Sequence, residues 1–142
     1  MKSLQARRIV TNALKKAREM GLKPLTVAVL DARGALKHLE SEDGSSLMRA
    51  RIAHGKAYGA IAMGLGSRAL HDRSLQQPQF IDAMNALAGG ALVPVPGGVL
   101  VRSARGDIVG AVGITGDSSD NDEACAVAGI EAARLKADTG GA

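Results

Sequence analysis

A chain of 142 residues is long enough for one domain with a buried core and too short for two of ordinary size. Its apolar share of 46% includes one Tyr, one Phe and no Trp, so Ala, Val, Leu and Ile must fill the interior, while 18 glycines imply tight turns and close backbone contacts. The net charge of +4 comes from scattered basic residues without interleaved aromatics, which argues against a nucleic-acid partner and suits an anionic small ligand.

Residues 3–20 place Leu4, Ile9, Val10, Ala13, Leu14 and Ala17 on one helical stripe, with Ser3 able to cap the start and Gly21 and Pro24 to end it. Residues 25–30 (LTVAVL) read as a strand, 31–34 (DARG) as a turn, and 35–40 as the returning strand of a hairpin. The polar turn at 41–46 ends in a serine suited to capping a helix over 47–64, which Gly66 and Ser67 break. A short helical turn is expected at 68–73 and another short helix at 78–88. Glycines and prolines then mark a loop up to Gly98, in which 92–95 has the composition of a short extra strand. Residues 99–102 and 108–115 form a second hairpin, and a last helix is expected from 119 to 136. The order α-β-β-α-(α)-β-β-α predicts a single α+β domain over 1–142, with one mostly antiparallel sheet and helices packed over it.

The richest stretch is 108–129 (IVGAVGITGDSSDNDEACAVAG). Gly110, Gly113 and Gly116 recur every third residue in a strand, so a neighbouring backbone can approach closely there. Asp122 and Glu123 sit where the next helix begins. Ser119 with Asp122, and Asp120 with Glu123, have capping-box spacing; the functional reading is a carboxylate at the rim of a pocket. The acidic spacing excludes an EF-hand, and the glycines lack the Lys-Ser/Thr of a phosphate loop.

On the central helix, Arg51, His54 and Tyr58 share a face with Leu47, Ile61 and Leu65. An imidazole between a guanidinium and a phenol can bind a carboxylate or act as acid or base. The plainer reading is a half-buried histidine satisfied by a carbonyl, with the arginine reaching to water. Lys56 and Arg49 fall on the opposite face, where an exposed lysine is the ordinary outcome. Asp43 offers a carboxylate in a turn before this helix, or simply forms that turn. His38 and His71 have no partner at metal-ligand spacing. Cys125 is the single cysteine, which excludes an intrachain disulfide and a cysteine metal cluster. Without an apolar leader or a run near about 18 apolar residues, a cytoplasmic protein with no membrane contact is expected.

Three segments carry a resemblance when taken together. They are residues 27–34 (VAVLDARG) with Asp43-Gly44, residues 52–57 (IAHGKA), and Gly97-Gly98 followed by residues 108–116 (IVGAVGITG), 122–126 (DEACA) and Gly129. In this order and spacing, across about residues 3–137, the chain resembles the GlcG/HbpS-like family, which includes the haem-binding C-terminal domain of PduO-type proteins. The resemblance implies a profilin-like fold, homo-oligomers from dimer to octamer, a setting in small-molecule catabolism, and haem or a corrinoid-related ligand in some members. A haem ligand would have to come from His38, His54, His71, Cys125 or Tyr58, since the first helix has no histidine. The expected site has His54 as axial metal ligand or acid–base group and Arg51 and Lys56 holding carboxylates. Tyr58, Asp43 and Asp122 would contact the ligand, and Gly97, Gly98 and Gly116 would shape the pocket. The alternative is a cofactor-free isomerase, lyase or hydrolase acting on a small carboxylated substrate, with His54 or Glu123 moving a proton.

Overall fold

The computed structural model describes residues 1–141. The elements run α1 (Ser3–Glu19), β1 (Thr26–Asp31), β2 (Leu36–Ser41), α2 (Arg49–Met63), α3 (Ser67–Gln76), α4 (Pro78–Leu87), β3 (Gly98–Arg102), β4 (Ile108–Thr115), α5 (Ser119–Ala132) and β5 (Lys136–Asp138). The two hairpins join through β1 and β4 into a five-stranded sheet of order β2-β1-β4-β3-β5, antiparallel at every pairing. The α+β architecture expected from the sequence is the one observed.

Strand alternation assigns the two faces. Val27, Val29, Val99, Val101, Val112 and Ile114 meet α1 and α5 in the larger core, where Ile9, Ala13, Cys125 and Ile130 are buried. Gly129 lets those helices touch: a Cβ there would lie 2.5 Å from the Ile9 carbonyl oxygen. The other face presents Leu30, Leu100 and Ala111 to Ala57 and Ala60 of α2. Among the described residues no helix is long and apolar enough to cross a membrane.

Several expectations fail for identifiable reasons. The last helix stops at Ala132, not 136. The chain reverses at Arg134, whose φ is 62°, and Leu135 N donates to the Ile130 carbonyl, freeing Lys136–Asp138 to pair with β3. Residues 67–76 form a full helix rather than one turn. Residues 92–95 are no strand: they cross the outer side of α2, and Val93 N donates to the Gly55 carbonyl at 3.3 Å. Lys2, not Ser3, is the N-cap of α1, and α2 starts after Met48 with no side-chain cap. Ser118 caps α5, accepting from Asn121 N, so neither expected capping box forms.

Candidate functional site

α2 carries most of the candidate residues, and its rotation decides where they point. It buries Ala53, Gly55, Lys56, Ala57, Gly59 and Ala60. The face that carries His54 divides: Leu47 is 93% exposed and Arg51 and Leu65 are also exposed, while His54, Tyr58 and Ile61 are half-buried, with Tyr58 and Ile61 against the smaller core cluster. The cause lies in the strands beneath. Gly98 and Gly113 lack side chains, and the Lys56 and Ala53 carbonyls occupy the space a Cβ would need. Close backbone packing of a small-residue face outweighs burial of the scattered larger side chains. On the outer side, a Cβ at Gly55 would meet Val93 Cγ2 at 2.5 Å, so the crossing segment lies equally close.

A cleft of about 620 Å³ opens between β2, the first half of α2 and residues 89–93. Leu39, Met48, Ile52 and Val93 give it apolar walls, and Arg51 and His54 supply its charge-bearing groups. Gly89 and Gly90, at φ 69° and 83°, line it without side chains. Asn85 holds this wall: its side-chain oxygen accepts from Leu92 N at 2.9 Å and its carbonyl from Gly90 N at 2.8 Å. Nothing in the local sequence singles Asn85 out. The His54 ring stacks with Tyr58, centroids 6.1 Å apart and 16° between planes. Among the described residues, neither His54 nor Arg51 has a side-chain hydrogen bond or ion pair, so both are free to meet a ligand.

Lys56 is 2% exposed, against the expectation of a surface lysine, and lies on the other flank of α2. Its ammonium donates to the Ile114 carbonyl at 2.8 Å and pairs with Asp122 at 3.3 Å, itself 1% exposed. The second Asp122 oxygen accepts from Asp117 N at 3.0 Å. Burial pushes the Lys56 pKa down and the Asp122 pKa up, each opposed by the partner's charge. Gly97, at φ 118°, backs onto this pair: a Cβ there would sit 2.8 Å from the Lys56 nitrogen. Gly98 donates its N–H to Ser67 Oγ at 2.7 Å. One residue beyond Ile114, Thr115 Oγ1 accepts from the Arg49 guanidinium at 2.8 Å.

The expected site residues therefore divide. Arg51 and His54 share the cleft, with Tyr58 stacked behind His54. Lys56, Asp122, Gly97 and Gly98 come together in the interior and do not line that cleft. Gly116 packs against the Pro24 carbonyl and Leu25. Glu123 is bonded to Arg68 at 3.0 and 3.2 Å, an arginine that also holds Asp120. Asp43 borders a separate hollow of about 410 Å³ with Arg18 and Glu42. His38 lies 3.7 Å from Glu40. Cys125 is fully buried, and burial pushes its thiol up to about 11. Among the described residues no three His, Cys, Asp or Glu side chains converge to hold a metal ion.

The family model described as haem degrading protein HbpS-like matches residues 1–131. The chain belongs to the HbpS-like family. The HbpS-like fold extends across nearly its whole length in comparison with solved structures. PduOC, crystallised as a complex with haem, is 24% identical with a TM-score of 0.84, over 95% of this chain and 96% of that one. ORFY of Klebsiella pneumoniae is 20% identical with a TM-score of 0.85, over 94% and 90%. A double mutant of Streptomyces reticuli HbpS is 25% identical with a TM-score of 0.79, over 92% and 85%. A search of the curated proteins found no match.

Proposed function

We propose that this HbpS-like chain binds haem, or a related anionic cofactor, in the cleft between β2, α2 and residues 89–93. The observation that carries the reading is a free imidazole, His54, beside a free guanidinium, Arg51, on an otherwise apolar wall. Haem is a flat apolar ring with iron at its centre and carboxylates at one edge. The cleft matches each part. His54 has a nitrogen for the iron, Arg51 can take a carboxylate through paired N–H groups, and Leu39, Met48 and Val93 suit the ring. A volume of about 620 Å³ falls within the range of small-molecule sites. The haem complex of PduOC and the family's description as haem degrading support the reading.

Bound there, haem would supply a redox-active iron. The chain's own part is to ligate through His54, orient through Arg51 and exclude water with the apolar walls. The reading includes self-association, since Leu39 and Met48 of the cleft wall are exposed, as are Leu36 on the same strand as Leu39 and Leu47 next in sequence to Met48. A cofactor-free acid–base enzyme is less well supported, because Glu123 is held by Arg68 and His54 alone remains in the cleft to move a proton.

Titration of the purified protein with hemin, followed in the Soret region, tests the proposal. Saturable binding with a ligated spectrum is expected in the wild type. His54→Ala should lose that spectrum, and Arg51→Ala should weaken binding about tenfold, the loss of one charge-assisted contact. Identical spectra for wild type and His54→Ala would remove His54 from the site.

A further inference from the structure

α2 meets the sheet almost entirely through small groups. Ala57 and Ala60 lie over Leu30, Leu100 and Ala111, Ala53 lies over Gly113, and Gly98 and Gly113 form a bare floor. Such a contact brings backbones close but gives little to lock the helix about its own axis. Interlocking side-chain ridges normally set that rotation, and alanine methyls on glycines make shallow ridges. The larger apolar residues of α2 do not settle it either. Ile52 and Met63 fall on one flank and Tyr58 and Ile61 on the other, and all four are only half-buried, Tyr58 and Ile61 touching the edge of the Leu30, Leu100 and Ala111 cluster.

One large side chain of α2 is fully enclosed, and it is a lysine. Lys56 engages two separate elements, the end of β4 through the Ile114 carbonyl and the first turn of α5 through Asp122. Gly97 leaves the space its ammonium fills and is itself tied to β4, its carbonyl accepting from Ile114 N at 2.9 Å. Asp122 is braced from behind by Asp117 N. We propose that the Lys56–Asp122 ion pair fixes the rotation of α2 on the sheet, which makes Lys56 and Asp122 positioning residues for Arg51 and His54. Any other rotation strands a buried carboxylate without its cation, which is strongly unfavourable. At about 100° per residue, His54 lies about 160° round the helix from Lys56, so locking one flank presents the other to the cleft. The consequence for binding rests on the cleft being the ligand site; the rotation itself does not.

The experiment pairs Lys56→Met with Asp122→Leu, removing both charges so that neither is left buried alone. Stability should stay near wild type, because apolar replacement of a buried ion pair is often neutral. Meanwhile the His54 imidazole resonance of the ligand-free protein, expected to be single in the wild type, should split or broaden. Hemin affinity should fall tenfold or more. A purely structural pair would lower stability without giving a stable protein a second His54 state. If the double variant does not fold, Lys56→Met with the isosteric Asp122→Asn serves, which keeps an acceptor for Asp117 N, with the same second His54 state expected. One sharp, unshifted His54 resonance in whichever variant folds overturns the proposal. Because that signal is read without ligand, failure of hemin to bind the wild type counts against the cleft reading alone.

Discussion

Single groups at the start of α5 tie stability to pH. Asp117 accepts from the Asn121 amide, from Ser118 N and from Lys23 N, and these bonds hold its carboxyl at about 2, below the ordinary 3.8. A carboxylate depressed on folding adds stability above its unfolded value and loses it as pH falls through the folded one. Stability should therefore drop as pH falls from about 4 to about 2, and Asp117→Asn should flatten that part of the curve. Urea titrations across this range check it; an unchanged slope in the variant would show that other groups govern the acid limb. Cys125 gives the opposite kind of expectation. Fully buried, with its thiol pushed up to about 11, it offers almost no thiolate at neutral pH. Iodoacetamide at pH 7.5 should label it only in denaturant, and rapid labelling of the native protein would contradict the burial.

At the scale of elements, glycines on opposite sides of α2 have opposite expected effects. A methyl at Gly113 would run into the Ala53 carbonyl and approach Ala57 N at 2.8 Å, backbone atoms that cannot swing aside. Gly113→Ala should cost about 2–3 kcal/mol, in the upper range for overpacking. Gly59 lies on the outer side, where an added Cβ would have the Leu70 and Leu92 methyls 3.5 Å away, an ordinary contact, and its helical φ is unexceptional. Gly59→Ala should stabilise by about 0.5–1 kcal/mol through helix propensity. Chemical denaturation of the two variants decides whether α2 sits as close to the sheet as described. These glycines also explain why helical spacing alone does not single out the face of α2 that carries Ala53, Lys56 and Ala60 as the one that packs inward. The hairpins were legible because apolar alternation and turn residues are local signals. The side of α2 that packs inward depends on Gly98 and Gly113, and the partner of Lys56 lies 66 residues away. Arg51 and His54 were legible as a pair because helical spacing alone puts them together. The end of α5 was not legible because Arg134 adopts a turn conformation more typical of glycine.

For the whole molecule, the two faces of the sheet are covered unequally. α1 and α5 roof one face, while α2, itself crossed on its outer side by residues 92–95, covers the other and leaves its β2 side open. The bulge between Val29 and Leu30 matters here. Leu39 pairs with Ala28 in the regular register, and the bulge sets Leu36 rather than Lys37 opposite Leu30, so both leucines emerge on the α2 side. Leu36 is 52% exposed and Leu47 is 93% exposed. The two sheet edges also differ: β5 is three residues long, a short edge that resists pairing, whereas β2 offers six. An open apolar flank beside a full-length edge strand is the surface expected to meet a second copy of the chain. Sedimentation velocity should therefore find the wild type as a dimer or larger. Leu36→Glu combined with Leu47→Glu should shift it toward monomer with an unchanged circular dichroism spectrum, since neither side chain supports the core. A monomeric wild type at micromolar concentration would remove self-association from the functional reading. A charged double variant that still assembles would instead move the interface to another face and leave the cleft open to solvent on its β2 side.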